Sequence, residues 1–478
     1  MLLAMLLLYI AIGTAIAIAS RKAGIKSIRD YYVAGGRLGR ILAFGTYAAT
    51  TYSAFMMIGL VGLAYKTGVM SLGFELLYLA STIYLLSTVG HRLWRLSKQR
   101  GWVSPSEMMG DLYASRAIPV ALSTMYLIAV IPYLAAQVQG VGVLLEKEGL
   151  NYQAGVALGA LIILAWMSVG GMWSVASTDL YQALWMLAGG AVYVAWLANN
   201  VDKAVGGSLS ALRVLGESGY LGVTGFWRPG VFLAYVTPWL FFAITNPQVI
   251  VRLFVHRDEK SYRDSVLYFS VFGFLYTIIS VGIGLLARAL TLAGGLRELG
   301  REDVTPHLLS LMAPYLSSFV SVSIIAAAIS TGNSIALAVA SSVHRDLLAM
   351  RTKGTMRVGY SIAIQALLVT AASAIALSRS GYILDLSVMT SVLLLPQAPL
   401  VIYAVCSLEK GWPRPRLGAL ASLLAGFATA LAYSAKLGPR EAFLSMINGL
   451  PLPILVLLIS TGTLAASALL SRALRREI

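Results

Sequence analysis

The chain has 478 residues, of which 58% are hydrophobic and only 12% charged, and its mean hydropathy is +0.79. This composition excludes a soluble globular protein and indicates an integral membrane protein. The net charge of +16 does not indicate nucleic-acid binding, because the basic residues lie in short segments between apolar runs. Cys406 is the only cysteine, so the chain has no internal disulfide and no cysteine metal cluster.

Apolar runs long enough to cross a bilayer occur thirteen times along the chain. They predict membrane spans at 2–20, 41–65, 71–90, 118–145, 152–170, 178–198, 229–251, 265–290, 313–341, 358–378, 385–407, 417–435 and 443–470. We therefore expect an all-α integral membrane protein with about 13 transmembrane helices, forming a single domain over residues 1–478.

The first run ends in "AIAIAS", which also fits a secretory signal with a small-residue cleavage site. Its basic cluster follows the run, at Arg21, Lys22, Lys26 and Arg29, and this favours a first helix with its amino end outside. With sides alternating from there, the segments assigned to the inside hold 25 of the 36 Lys and Arg residues. The pattern predicts a multi-pass protein of the cell membrane with its amino terminus outside and its carboxyl terminus inside.

The order of the spans contains a hidden symmetry. Spans 2 to 6 form one unit of five helices over residues 41–200, and spans 7 to 11 form another over 229–407. Because five is an odd number, the second unit enters the membrane in the opposite sense, which is the topology of a 5+5 inverted repeat. Such a repeat places a solute site near the midplane, and it leaves 1–20 and 417–470 as peripheral helices.

The leading span of each unit is interrupted at mid-depth. Span 2 contains "TTYS" between Gly45 and Gly59, and span 7 contains Pro238 and the pair Asn246 and Pro247. Proline removes a backbone donor, and freed carbonyls at membrane depth have to face protein, water or an ion. A kinked packing helix would explain either span alone. Interruption at matching places in both units indicates a transport site.

Span 9 carries small polar residues in the middle of its apolar run "AAAISTGNSIALAVASS". Ala327, Ser330, Thr331 and Ser334 have helical spacing and share one face. Two hydroxyls beside a helix carbonyl form a set of hard oxygen donors, and without a carboxylate they suit a monovalent cation. Carbonyls freed by the break in span 2 would complete the shell, although hydroxyls also serve as packing contacts between helices.

Several segments resemble the sodium/solute symporter family in the family's order. They cover residues 30 to about 350 and include "DYYVAGGRLGRILAFGTYAATTYSAFMMIGLVGLAY", "SPSEMMGDLYASR", "GGMWSVASTDLYQ", "TNPQVIVRLFVHRDEKSYRDS" and "AAAISTGNSIALAVASSVHRDL". The resemblance implies a LeuT-type inverted-repeat fold and secondary symport driven by sodium, with a sodium ion as the only cofactor.

The resemblance also implies site residues. The main sodium site of the family corresponds to the carbonyls of Ala49, Tyr52 and Ala327 and the hydroxyls of Ser330 and Thr331. Asp179 resembles an aspartate on the sodium exit route, and a second sodium site would combine Asp179 with Ser330, Asn333 and Ser334. Thr51 stands where relatives often carry Asn or Asp, so contacts to the solute are expected to differ there.

Candidate solute contacts lie near the two breaks and in the neighbouring spans. They are Thr51, Ser53, Phe55, Glu75, Gln137, Trp239, Phe242 and Asn246. Glu75 aligns with a glutamate of sugar-transporting relatives, and a carboxylate in lipid is costly, so it should face the bundle interior. The alternatives are an ion pair or snorkelling to the membrane interface for Glu75, helix bridging for Gln137 and plain packing for the aromatic residues. Arg252 and Asp385 lie at span ends and are interpreted as topology and surface residues.

Three functions compete. The first is sodium-coupled symport of a small organic solute, which is an amino acid, a monocarboxylate, a pantothenate-like acid or a sugar. The second is a proton-coupled permease of the same fold, which needs a buried titrating group near the sodium position. The third is a membrane-embedded enzyme, which needs paired acidic or histidine residues in interfacial loops, and the loops here lack them. The sequence favours a transporter that is not an enzyme, with the solute and the lipid bilayer as its partners and no nucleic acid.

Overall fold

A computed structural model describes residues 1–348, 357–379 and 383–476. Within these ranges the secondary structure is almost entirely helical. The helices of the first half are α1 (Leu2–Ser20), α2 (Ile28–Val33), α3 (Arg40–Thr51), α4 (Val61–Thr67), α5 (Met70–Leu85), α6 (His91–Arg100), α7 (Pro105–Tyr113), α8 (Ala117–Lys147), α9 (Tyr152–Val205) and α10 (Ser208–Glu217).

The helices of the second half are α11 (Pro229–Leu240), α12 (Phe242–Thr245), α13 (Pro247–Leu253), α14 (Glu259–Leu292), α15 (Val304–Ser310), α16 (Pro314–Val343), α17 (Val358–Leu377), α18 (Ile383–Leu394), α19 (Gln397–Lys410), α20 (Arg416–Leu437), α21 (Pro439–Leu444) and α22 (Leu452–Arg476). Two strands, β1 (Met446–Ile447) and β2 (Leu450–Pro451), pair antiparallel. Short 3₁₀ segments cover Arg21–Ala23 and Ala34–Gly36, and π-helical turns cover Phe55–Leu60, Leu86–Gly90 and His344–Leu348.

The all-α membrane fold is confirmed. In the described ranges, nine helices are long and apolar enough to cross a membrane, and two bent helix pairs raise the number to eleven. Each of the thirteen predicted spans coincides with a helix or a broken helix, and the number thirteen itself stays a prediction. The difference between eleven and thirteen spans has two causes. Helix α9 is continuous over two predicted spans, and α11, α12 and α13, which together form one predicted span, are individually short.

The 54-residue helix α9 is not one straight rod. Gly171 interrupts it with φ +53° and ψ −135°, a conformation that side-chain-bearing residues rarely adopt. A Cβ at this position would lie 2.3 Å from the carbonyl oxygen of Tyr31, so the backbone approach also requires glycine. The break falls at the first residue after the predicted span 152–170, and it divides α9 where the sequence predicts a connection.

Both leading helices are interrupted, as predicted. After α3 ends at Thr51, Tyr52 is extended at φ −101° and ψ +114°, and the chain then resumes in a direction bent by 48°. In the second unit the helix stops at Phe241, restarts as α12, and stops again at Asn246 before Pro247 begins α13. These breaks expose backbone carbonyls in the interior of the bundle, where a buried polar group needs a partner.

Helix α16 forms the centre of the bundle. Every residue in the most apolar 18-residue stretch of α16 is buried. In the corresponding stretches of α1 and α22, only 28% and 22% of the residues are buried. It packs against α8 and α9 along its length and against α3 at the break. The small polar residues of α16 therefore face protein on every side, and α1 and α22 lie at the periphery.

Candidate functional site

The hydroxyls of α16 meet the broken end of α3. Ser330 Oγ donates to the Ala49 carbonyl at 2.8 Å and lies 2.9 Å from the Ala327 carbonyl. Thr331 Oγ1 lies 3.3 Å from both the Ala49 and the Thr50 carbonyls. All of these residues are fully buried or nearly so. The α3 carbonyls that lose their helical partners at the break are thus satisfied by hydroxyls of another helix.

The spacing of these oxygens suits a small cation. Oxygen ligands held about 2.4 Å from an ion lie about 3.4 Å from each other in octahedral geometry. The observed oxygen separations of 2.8 to 3.3 Å are close to that value. Small rotations of two hydroxyls would turn their lone pairs toward an ion. The predicted carbonyl ligand of Tyr52 belongs to the extended residue at the break, three residues after Ala49. The described residues contain no group of three His, Cys, Asp or Glu side chains that could hold a metal, so this neutral shell suits a monovalent ion.

A buried charge network lies one helical turn nearer the amino end of α3. Asp179 Oδ2 accepts a hydrogen bond from Thr46 Oγ1 at 2.6 Å and pairs with Arg252 at 3.6 Å, and both charged side chains are fully buried. The Arg252 guanidinium also donates to Ser334 Oγ at 2.5 Å, and Ser334 Oγ lies 2.7 Å from Thr50 Oγ1. The network therefore joins α3, α9, α13 and α16.

The interpretation of Arg252 as a surface residue is wrong. Its side chain is 0% exposed, because α13 follows the break in the second unit and directs the guanidinium into the bundle. The sequence contained one signal for this contact. Asp179 is an acid inside a predicted span, and opposite charges at membrane depth usually pair with each other.

Asn333 does not join this network in the described structure. Both polar atoms of its side chain are buried and have no hydrogen-bond partner among the described residues. Of the residues predicted for a second sodium site, Asp179 and Ser334 are thus brought together through Arg252. Ser330 belongs to the shell at the Ala49 carbonyl instead.

An aromatic cluster lies beside the two breaks. The Trp239 ring lies 5.4 Å from Phe55, 5.4 Å from Tyr78 and 5.0 Å from Phe242. Tyr52 joins the cluster with a centroid distance of 6.4 Å to Tyr78. The predicted candidates Phe55, Trp239 and Phe242 are therefore brought together, whereas Tyr78 was missed. The three-residue spacing of Glu75 and Tyr78 places both on one face of α5 and is the signal that would have found it.

Tyr52 connects the sodium candidate with the aromatic cluster. Its ring stacks on Phe269 at 5.8 Å and contacts Phe272 and Tyr276 at 5.9 and 6.0 Å. A Cβ at Gly273 would lie 2.4 Å from the Tyr52 hydroxyl, so this close approach depends on glycine in α14. One residue thus supplies the backbone of the break and a wall of the aromatic cluster.

Glu75 is the only charged residue in the five helix segments that contain or flank the cluster residues. It is 2% exposed, and the segments 41–65, 70–85, 118–145, 229–247 and 265–287 contain no other acidic residue and no lysine or arginine. No ion pair to Glu75 is present within the described ranges, while Tyr52, Tyr78 and Tyr133 lie within electrostatic range of its carboxylate. The ion-pair alternative for Glu75 has no partner in the described structure.

The remaining solute candidates bond locally. Thr51 Oγ1 donates to the Tyr47 carbonyl at 2.7 Å, and Ser53 Oγ accepts from the Phe55 amide at 3.1 Å. Gln137 Nε2 donates to the Tyr133 carbonyl and Asn246 Nδ2 to Thr245 Oγ1, both at 3.3 Å. The side-chain oxygens of Gln137 and Asn246 are buried without a partner in the described part of the chain. A buried acceptor without a partner requires an explanation, and a bound solute or water would supply the missing donor.

A second ion-pair cluster closes the end of the bundle where α14 connects to α16. Asp385 pairs with Arg301 at 2.8 Å and with Arg440 at 3.8 Å, and its side chain is only 3% exposed. The interpretation of Asp385 as a surface residue is therefore wrong, because this connection folds back over α18. The Glu302 carboxylate accepts from the Ile383 amide at 2.5 Å beside this cluster.

We expect the anchoring of this connection to depend on pH through Glu302. Burial raises the pKa of Glu302 to about 7 from the ordinary value of 4.5, against the lowering effect of the Ile383 amide. The folded state therefore favours the protonated acid, and its stabilising contribution is complete below about pH 4.5 and is lost as the pH rises to about 7. The loss amounts to about 3 kcal/mol. Melting temperatures of the detergent-solubilised protein at pH 4.5 and 8 should differ less in Glu302→Gln.

The neighbouring variant Asp303→Asn is the matched control, because Asp303 is exposed. It should keep the pH dependence of the wild type. An unchanged pH dependence in Glu302→Gln would contradict the assignment.

The fold and the site together define a class of protein. Two interrupted helices that pack on one buried helix, with a buried oxygen shell at the break of the first, are features of secondary transporters. The sequence matches the sodium:solute symporter family over residues 31–426, and the chain belongs to that family. Family membership and fold indicate sodium-coupled symport by a multi-pass membrane protein, rather than catalysis.

Solved structures of transporters share this fold. A Na⁺-coupled sialic acid symporter in a substrate-bound outward-open state aligns with a TM-score of 0.79 and 17% identity, over 98% of this chain and 98% of that chain. A nucleobase-cation-symport-1 family transporter, closed with bromovinylhydantoin bound, aligns with a TM-score of 0.57 and 12% identity, over 92% and 94%. MhsT in complex with L-phenylalanine aligns with a TM-score of 0.55 and 15% identity, over 91% and 98%. The recognised family and fold are thereby confirmed.

Proposed function

We propose that the protein couples sodium binding between α3 and α16 to the transport of a small organic solute that carries a positively charged nitrogen. The sodium site is supported by one observation: the Ser330 and Thr331 hydroxyl oxygens lie 2.8 and 3.3 Å from the Ala49 carbonyl oxygen. A sodium ion there would bind α16 and the broken helix at the same time. Its binding free energy would favour the arrangement in which these helices are together.

The proposed coupling follows from thermodynamic linkage. Tyr52 belongs both to the proposed sodium shell and to the aromatic cluster, so ordering of the break by sodium also orders a wall of the solute site. Sodium would raise the affinity for the solute by the same factor by which the solute raises the affinity for sodium. Rocking of the two predicted repeats, 41–200 and 229–407, would then release both on the other side. An amino terminus outside remains part of this proposal and is supported by the distribution of basic residues.

We propose one sodium ion per cycle. The Arg252 guanidinium already supplies a positive charge 3.6 Å from Asp179, so a second sodium ion beside Asp179 would be repelled. Asp179 would therefore form a structural ion pair with Arg252 instead of a second sodium site. The sodium dependence of transport should therefore have a Hill coefficient of about 1.

The charge of the solute follows from Glu75. An anionic solute would meet one buried carboxylate and no cation in the five surrounding segments. A cationic nitrogen would pair with Glu75 and contact the faces of aromatic rings, which attract cations. Of the four classes that the sequence leaves open, an amino acid supplies a cationic nitrogen, whereas a monocarboxylate, a pantothenate-like acid and a sugar do not.

Uptake into proteoliposomes tests the function. A panel of amino acids, amines, sugars and monocarboxylates is supplied with an inward gradient of sodium, potassium or protons. Uptake of an amino acid or amine that requires the sodium gradient supports the proposal. Uptake driven equally well by a proton gradient without sodium would favour the proton-coupled permease and would contradict it.

Glu75→Gln should lower the affinity for a cationic solute at least tenfold. The amide keeps the size and hydrogen-bonding atoms of the side chain but removes the charge, and losing a charged hydrogen bond costs about 1.5 to 3 kcal/mol. The measurement is the half-saturating solute concentration for uptake at saturating sodium.

Glu217→Gln removes a charge at an exposed position and should behave as the wild type. Unchanged affinity in Glu75→Gln, or a better substrate without a positive charge, would overturn the assignment of the solute and leave the sodium site untouched.

A further inference from the structure

A groove of about 530 Å³ lies between α19 and α22, on the periphery of the bundle. Its walls are almost entirely apolar and include Phe241, Ile402, Leu457, Leu464 and Ala468. Phe241 is the residue at which α11 ends, so the groove reaches the break of the second leading helix. None of the sodium or charge-network residues described above lines this groove.

The mouth of the groove carries two cations around one indole ring. The Arg472 guanidinium lies 4.3 Å from the centre of the Trp412 ring, and Lys410 Nζ lies 4.7 Å from it. Neither cation forms an ion pair with a carboxylate of the described residues, and the nearby Glu409 is engaged by Arg92 at 2.9 Å. Two positive charges that have no carboxylate partner among the described residues and lie beside a tryptophan are characteristic of the membrane–water interface, where anionic headgroups lie.

The groove is long enough for an acyl chain. From Leu457 to Arg472 the helix α22 rises about 22 Å. One leaflet of the hydrocarbon core is about 15 Å thick, so a complete acyl chain fits between the apolar walls while its headgroup stays at the mouth. The apolar walls and the cationic mouth match the two parts of a phospholipid.

We propose that this groove is a binding site for an anionic phospholipid, with an acyl chain between α19 and α22 and the headgroup phosphate at Lys410 and Arg472. Each basic residue near an anionic surface contributes about 1 kcal/mol. The pair therefore predicts about a 30-fold preference for phosphatidylglycerol over zwitterionic phosphatidylcholine, equivalent to about 2 kcal/mol. The site would hold the lipid against Phe241, the residue at which α11 ends.

The only cysteine of the chain is a natural probe for this site. Cys406 lines the groove and is partly exposed. Its rate of alkylation by an apolar maleimide is measured on the purified full chain in detergent micelles while phosphatidylglycerol or phosphatidylcholine is added. Phosphatidylglycerol should slow the alkylation at about 30-fold lower concentration than phosphatidylcholine.

The double variant Lys410→Gln/Arg472→Gln should abolish this difference between the two lipids. A control variant that removes the same charges elsewhere, Lys203→Gln/Arg213→Gln, should keep it. Equal protection of Cys406 by both lipids in the wild type would overturn the proposal, and this measurement does not depend on the folding of a variant. Protection that increases with protein concentration in the absence of lipid would also overturn it, because the occupant would then be a second copy of the chain.

Discussion

Replacing Ser330 and Thr331 together with alanine should abolish sodium-stimulated uptake while the protein remains folded in the membrane. Each hydroxyl contacts a carbonyl of the broken helix, and losing an oxygen ligand of a charged group costs about 1.5 to 3 kcal/mol. Each single variant should therefore raise the half-saturating sodium concentration about tenfold or more. The measurement is initial uptake into proteoliposomes as a function of sodium concentration.

The controls separate sodium binding from packing. Ser341→Ala removes a buried hydroxyl from the same helix, where Ser341 Oγ donates only to its own Ala338 carbonyl at 2.7 Å, and it should not alter sodium dependence. Thr331→Ser keeps the hydroxyl while removing a methyl group and should retain coupling. Full coupling in the double alanine variant would reject the site, whereas equal losses in Ser341→Ala would show a general packing effect.

The parts of the site that depend on local sequence were predictable. The breaks follow from Pro247 and from the polar, β-branched run before Tyr52, and proline and freed carbonyls act within a few residues. The hydroxyl face of α16 follows from helical spacing, which Ser330 and Thr331 obey. These features need no knowledge of neighbouring helices, and the structure has the breaks and the shared face at the predicted places.

The parts that depend on tertiary contacts were not predictable in the same way. Arg252 was placed on the surface because its position in the sequence is the end of an apolar run, yet the second break turns α13 so that the guanidinium enters the bundle. Asp385 was misplaced for a similar reason, since a connection from a distant part of the chain covers it. Both errors concern charges whose partners are more than 50 residues away in the sequence, where hydropathy contains no information about pairing.

Removing the negative charge of Asp179 should destabilise the protein strongly. The variant Asp179→Asn leaves the Arg252 guanidinium fully buried without its carboxylate, and breaking a buried ion pair from one side costs about 3 to 5 kcal/mol. The measurement is the free energy of unfolding in denaturant for the detergent-solubilised protein. An exposed pair offers a matched comparison, because Glu217→Gln breaks the ion pair with Arg213, whose side chain is 81% exposed, and should cost less than about 1 kcal/mol.

The double variant Asp179→Asn/Arg252→Gln distinguishes the ion pair from a second sodium site. If Asp179 serves mainly to compensate Arg252, removing both charges restores much of the lost stability, and the double-mutant cycle gives a coupling energy of about 1 to 3 kcal/mol. If Asp179 instead binds sodium, Asp179→Asn keeps its stability in the absence of sodium, and the Hill coefficient of wild-type uptake exceeds 1. A stable Asp179→Asn variant would contradict the ion-pair assignment. It would show that the buried Arg252 guanidinium, 3.6 Å from Asp179, does not depend on that carboxylate for its stability.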